Sequence, residues 1–190
     1  MKFILVSFQA SELPDQITGE IELDPHQLHC KFSLSGKLEA IDWQDSITDA
    51  ENSQDEKSKA TTSRTSELWL HSCFELFLGE KGDTRYWEIN VAPDGRWQCY
   101  QFDDVRLGMK ESEAFHLDSY VFEQSANEAN LQITLNHQLH NTDTDIQAGI
   151  SVVLESKTSE LHHYALRHCG PKPDFHRRDS HALQLNRDKK

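Results

Sequence analysis

Basic residues are scarce in this chain: 19 Lys and Arg stand against 32 Asp and Glu, giving a formal net charge of −13 and a pI near 5.2. Nonspecific binding to nucleic acid or to an anionic membrane needs clustered positive charge, so neither partner is expected. Arg177, Arg178, Arg187, Lys189 and Lys190 make the C-terminal end basic, and that end is expected to be a flexible, solvated tail. Long apolar runs are missing, so no segment is expected to span a bilayer. The short apolar stretch 3–6 follows one lysine and lacks the length and cleavage pattern of a signal peptide. Cysteine is limited to Cys30, Cys73, Cys99 and Cys169, with no CxxC pair, which speaks against a zinc ribbon or a redox motif. These absences together suggest free thiols and a cytoplasmic location, with a disulfide left open. A long amphipathic helix is also lacking.

Short strands dominate what is there. Residues 2–8, 17–23, 28–34 and 37–43 read as strands punctuated by Pro14, Pro25 and Gly36. Later strands are expected at 97–102, 120–123, 131–135, 146–154 and 162–167. Residues 44–64 turn to Asp, Glu, Ser, Thr and Lys, cannot supply core, and are expected to form a long polar loop dispensable for folding. The rest predicts one domain over residues 1–190: an all-β, antiparallel β-sandwich of roughly eight to ten strands, since many short strands need two facing sheets to bury their apolar sides. A closed barrel is the runner-up.

The most informative stretch is 68–97. Strict alternation puts Phe74, Leu76 and Leu78 on one face of a strand and Cys73, Glu75 and Phe77 on the other. The next strand divides likewise, with Trp87, Ile89 and Val91 opposed to Tyr86, Glu88 and Asn90. Ala92-Pro93-Asp94-Gly95 has type I turn chemistry with a glycine for the following bulge. That turn sets a register in which Asn90 faces Gln98, Glu88 faces Tyr100 and Val91 faces Trp97, because a one-residue slip would mix polar and apolar faces.

The polar face carries the functional expectation. An aromatic ring can cover the apolar side of a sugar while Glu, Asn, Gln and Arg bond its hydroxyls; Trp69, Glu75, Asn90, Arg96 and Gln98 supply that set. Equally open from spacing alone is a structural role, with Trp69 in the core and Glu75 paired to Arg96 across the sheet.

These residues carry a resemblance. The run Leu68-Trp69, Cys73 to Leu78, then Tyr86 to Asn90 with Pro93 and Gly95, Trp97 to Met109, and the late segments Tyr164 to His168 and Pro173 to His176, resemble compact bacterial DOMON-like domains and the related family 9 carbohydrate-binding modules. The resemblance covers most of residues 64–180. It implies an immunoglobulin-like or jelly-roll sandwich that binds a ligand without catalysis. Roles belonging to the sugar site in those modules fall here to Trp69, Glu75 and Arg96. Such modules close on the sugar with a second, late aromatic; no Trp follows Trp97, so His168, Phe175 or His176 must substitute. The expected ligand is a sugar or sugar derivative, such as a soluble sugar or sugar nucleotide.

The alternative is a haem- or metal-binding DOMON-like protein, with His71, His168 and His176 as imidazole ligands and Met109 as a thioether. Calcium could use Asp103 and Asp104. No cofactor is expected on the main reading, and a protein partner is left unspecified. A hydrolase ranks last, since neither Cys73 with His71 or His168, nor Asp174 with His176, sits in a diagnostic motif.

Overall fold

The computed structural model describes residues 1–9, 13–43, 62–139 and 144–186. Among them the structure is all-β, with fourteen strands: β1 (Lys2–Ser7), β2 (Gln16–Leu23), β3 (Gln27–Ser35), β4 (Ile41–Asp42), β5 (Ser63–Arg64), β6 (Cys73–Glu80), β7 (Tyr86–Val91), β8 (Arg96–Phe102), β9 (Lys110–Glu111), β10 (Phe115–Gln124), β11 (Glu128–His137), β12 (Ile146–Ser156), β13 (Leu161–Ala165) and β14 (Leu183–Leu185). Two 3-10 turns, Leu68–Leu70 and Arg178–Ser180, are the only helical pieces among the described residues. Neither is long enough to cross a membrane.

The strands form one curled ladder in the order β10-β11-β3-β2-β1-β13-β12-β6-β7-β8-β5, with β4 and β14 also on β12 and β9 on β8. Neighbours are antiparallel except β5, which runs parallel to β8 and makes the sheet mixed. β1 is the seam: residues 2–5 pair with β2, while Val6 and Ser7 pair with β13. The ladder folds back on itself, bringing Phe32 of β3 within 5.0 Å of Phe74 of β6 between ring centroids. Alternating positions from both halves fill the shared core: Leu28, Phe32 and Leu34; Leu131, Ile133 and Leu135; Phe74, Leu76 and Leu78; Ile146, Ile150 and Val152. Each such side chain contributes about 1.5–3 kcal/mol by leaving water, so this core is what holds the curl closed.

The hairpin register is as the turn chemistry predicts: Asn90 faces Gln98, Glu88 faces Tyr100 and Val91 faces Trp97. The Gly95 N–H donates to the Ala92 carbonyl at 3.0 Å and the Ala92 N–H to the Arg96 carbonyl at 2.8 Å. Gly95 has φ of 88°, and a Cβ there would meet the Tyr120 ring at 2.5 Å, so two constraints require glycine.

Several expectations are corrected. The strand expected at 37–43 contracts to β4, because the Ile41 N–H turns back to the Leu38 carbonyl. Ser63 and Arg64, expected in the polar loop, are strand β5; residues 44–61 of that loop lie outside the described residues. Arg177 and Arg178 are not a solvated tail: Arg178 Nη2 donates to the Glu80 carbonyl at 3.1 Å and to Gln147 Oε1 at 3.2 Å, and Arg177 pairs with Asp179. Arg187, Lys189 and Lys190 lie outside the described residues. Cys30, Cys73, Cys99 and Cys169 are all free thiols.

Candidate functional site

Strands β6, β7 and β8 turn one face to the core and the other outward, and the outward face is the candidate site. Register places its polar groups in a transverse row: Ser151 of β12 opposite Glu75 of β6, Glu75 opposite Asn90 of β7, Asn90 opposite Gln98 of β8. The next row runs Gly149, Phe77, Glu88, Tyr100. Period-two alternation therefore converts spacing in sequence into one continuous polar strip.

The strip is nearly dry: Glu75 is 3% exposed, Glu88 4%, Asn90 0% and Gln98 3%. Ser151 Oγ donates to Glu75 Oε2 at 2.7 Å, and Asn90 Nδ2 donates to Glu88 Oε1 at 2.7 Å. Gln98 Oε1 accepts from the Cys99 N–H at 2.9 Å. Asn90 Oδ1, by contrast, is buried without a hydrogen-bond partner among the described residues. Burial pushes both carboxyl groups well above the usual range, with Glu75 raised further by the charge of Glu88.

Aromatic rings surround the strip. Phe77, Tyr86, Tyr100 and Phe102 form a buried outer cluster against which the half-buried Trp69 and Phe175 pack. Trp69 meets Tyr100 edge-on at 5.8 Å between centroids. It is neither core nor free surface: one part leans on the cluster, the rest faces out, as an amphipathic ring at a rim does.

The segment 174–181 straps this face. His176 Nδ1 lies 2.8 Å from the Tyr86 hydroxyl, and its Nε2 stands 3.8 Å from Glu88 Oε2. Burial lowers the His176 pKa to about 4 with help from Arg106, so the ring is neutral; the Tyr86 hydroxyl is raised to about 12 by burial. Arg106 Nη2 donates to Asp174 Oδ1 at 3.0 Å and pins the start of the strap to the 103–109 loop. The strap fits because two outward positions lack side chains: a Cβ on Gly149 would come within 2.6 Å of His181, and one on Gly79 would collide with the Arg178 guanidinium. His181 is likewise lowered to about 4, mainly by burial.

Of the residues expected at the site, Trp69, Glu75, Asn90, Gln98, Phe175 and His176 are brought onto this one face. Arg96 shares its side of β8, but its Nε donates to Asp94 Oδ2 at 2.6 Å; the pair described for Glu75 is Ser151, not Arg96. His168 sits beside this face, its ring 6.2 Å from that of Phe175 between centroids and edge-on to Phe8, with its Nε2 2.9 Å from the Val6 carbonyl oxygen. Glu88, Tyr86, Tyr100, Arg106 and Asp174 join the site beyond the expected set. Glu88 shares parity with Asn90, a signal that could have found it; Arg106 and Asp174 carry no such signal.

The groups expected for other chemistries are dispersed. Cys73 is fully buried and its thiol pushed up by burial, whereas His71 Nδ1 lies 2.7 Å from Glu155 Oε2. Asp174 engages Arg106 and His176 engages Tyr86. Met109 is 54% exposed, Asp103 lies 3.8 Å from Lys110, and Asp104 Oδ1 accepts the Val105 N–H. Among the described residues no group of three or more His, Cys, Asp or Glu is arranged to hold a metal ion. Two surface depressions, of about 550 Å³ beside Trp43 and Phe122 and about 710 Å³ beside Lys2 and Lys31, lie off the polar strip and gather no comparable set of buried groups.

No family model and no curated protein matches this chain. Solved structures do. A candidate carbohydrate-binding protein from Bacteroides uniformis superposes with a TM-score of 0.62 at 11% identity, covering 95% of this chain and 83% of that one. A family 9 carbohydrate-binding module from Caldicellulosiruptor kristjanssonii in complex with glucose gives 0.51 at 9% identity, over 87% of this chain and 73% of the module. The same kind of module in complex with cellotriose gives 0.50 at 10%, over 87% and 72%. At such identities the likeness is one of fold: the chain has the all-β fold of family 9 carbohydrate-binding modules.

Proposed function

We propose that this protein is a non-catalytic carbohydrate-binding protein, a single-domain DOMON-like sandwich of the immunoglobulin or jelly-roll kind, that takes a small sugar or sugar derivative on the outer face of β6, β7 and β8. The observation that carries the reading is the orphaned Asn90 Oδ1, buried with Glu75 and Glu88 on the face whose aromatic cluster carries the half-buried Trp69 and Phe175. A buried acceptor without a donor costs roughly 1–3 kcal/mol, and a ligand hydroxyl relieves it. Flanking rings suit the apolar side of a pyranose. The fold shared with modules seen in complex with glucose and cellotriose supports the same reading. On this proposal the site works without a cofactor, and the protein acts in the cytoplasm on a soluble sugar.

Titration of the purified protein with monosaccharides, followed by calorimetry and by tryptophan fluorescence, tests it. Saturable binding is expected, and Trp69→Ala is expected to weaken it at least tenfold. Trp69 is half-buried, so its loss should cost about 2 kcal/mol of stability, less than for a fully buried Trp. A Trp69→Ala variant that melts early yet binds sugar as the parent does would place the ligand elsewhere.

A further inference from the structure

The floor of the outer face is rich in acceptors; its main side-chain donor is Nε2 of the Gln98 amide, whose Oε1 is taken by the Cys99 N–H. One Asn90 Nδ2 hydrogen goes to Glu88, while the amide oxygen is buried without a partner among the described residues. That bond turns the amide nitrogen toward Glu88. Glu75 already receives the Ser151 hydroxyl, and Glu88 Oε2 faces the neutral His176 ring at 3.8 Å, too far for a hydrogen bond. Three acceptor groups therefore converge from adjacent positions, Glu75 directly across the ladder from Asn90 and Glu88 two residues before it on the same face.

Charge points the same way. The cations described near this face are engaged: Arg106 with Asp174, Arg178 with Gln147, the Glu80 carbonyl and His181, and Arg177 with Asp179. His176 and His181 are neutral, so they do not compensate the two acids. Burial is the main cause of the upward shift of both carboxyl groups, and the nearby Arg106 offsets it only in part.

Resting on the carbohydrate reading of the site, we propose that its ligand is an amino sugar, whose protonated amine is held by Asn90 Oδ1 and the carboxylates of Glu75 and Glu88. In the free protein the raised carboxyl groups hold protons near neutral pH; an ammonium favours their ionised form, the protons leave to solvent, and its three donors meet three acceptors. It takes the position against Glu88 toward which His176 Nε2 points, so His176 shifts on binding. The same charge balance disfavours sugar phosphates, uronic acids and sugar nucleotides, whose anionic groups would meet two acids and guanidinium groups already committed to other partners.

The test is calorimetric titration of the intact protein with matched sugars: glucose, glucosamine, N-acetylglucosamine and glucose 6-phosphate, with the corresponding galactose and mannose series. Glucosamine, or its counterpart in one of the other series, is expected to bind at least tenfold more tightly than the neutral parent. The N-acetylated sugar should fall back to the level of the parent, and the phosphate should bind more weakly still. Glu75→Gln and Glu88→Gln should each bring the ratio of amino-sugar to neutral-sugar affinity down toward one, whatever they do to neutral-sugar affinity itself, with melting curves verifying the fold. Neutral sugar binding as tightly as amino sugar in all three series overturns the inference and leaves the carbohydrate reading standing. Binding of no sugar in any series overturns both. A preference for the amine that survives in both glutamine variants also overturns it, because the charge would then be recognised elsewhere.

Discussion

Glu75 stands directly across the β6–β7 ladder from Asn90, and the Asn90 amide donates not to it but to Glu88 on its own strand, at 2.7 Å. The two acids thus flank one amide in a buried strip, and their protonation becomes a matter of stability as well as of recognition.

The pH dependence has two sides. Both carboxyl groups have folded-state pKa values raised above the ordinary 4.5, so their contribution to stability is full below that value and is lost as pH rises through neutrality. His176 and His181 are lowered from 6.5 to about 4; their contribution is full above pH 6.5 and is lost as pH falls toward 4. The melting temperature is expected to peak near pH 6. A Glu75→Gln, Glu88→Gln double variant should hold its stability between pH 6 and 8.5, where the parent loses at least about 1 kcal/mol, roughly 2–4 °C for a chain of this size. Calorimetric scans showing a parent already flat across that range would contradict the burial of the pair.

Gly149→Ala tests the strap. A methyl group there meets the His181 ring at 2.6 Å, and overpacking of this kind costs typically about 1–3 kcal/mol. Relief comes most simply by lifting residues 174–181, so trypsin should cleave at Arg177 and Arg178 several-fold faster in the variant. Gly170→Ala is the control, since a methyl there meets nothing closer than 3.5 Å. Equal cleavage in both variants would mean that the sheet, not the strap, gives way.

Arg64 anchors β5. Its guanidinium lies 4.8 Å from the Trp97 ring centroid, donates to the Ser112 carbonyl at 2.6 Å and pairs with Glu113. Arg64→Ala is expected to lower stability by about 1–2 kcal/mol in urea unfolding, and Arg64→Lys to recover less than half, because lysine keeps the charge but not the planar fork. An unchanged midpoint would show the parallel strand to be incidental.

How much of this is legible in the sequence follows from the range of each interaction. Alternation in 73–78 and 86–91 is a local signal, and it correctly separates Phe74, Leu76 and Leu78 from Glu75, and Ile89 from Asn90. The Ala92 to Gly95 turn is also local, so it sets the cross-strand partners of Asn90 and Val91. Arg96 donates from Nε to Asp94, only two residues away, a local bond that alternation along the strand does not announce. Ser151 with Glu75, Arg106 with Asp174 and Tyr86 with His176 are separated by 76, 68 and 90 residues. Those pairings depend on strand order and on the path of the strap, which no spacing pattern encodes. The glycines that admit the strap, Gly79 and Gly149, likewise have meaning only once Arg178 and His181 are seen above them.

The seam strand β1 places a condition on how the chain is made. It is the first of the fourteen strands to leave the ribosome, yet one of its two neighbours, β13, is among the last, and the Gln9 side chain bonds to the Leu161 carbonyl across 152 residues. Synthesis from the N-terminus can assemble β1, β2 and β3 early, but the other flank of β1 stays an open edge until β13 emerges. Such an edge invites pairing with a second nascent chain, and closure between the ends is slow because so long a loop must be gathered. Production of the folded protein should therefore respond more to translation speed and chaperone supply than its final stability would suggest.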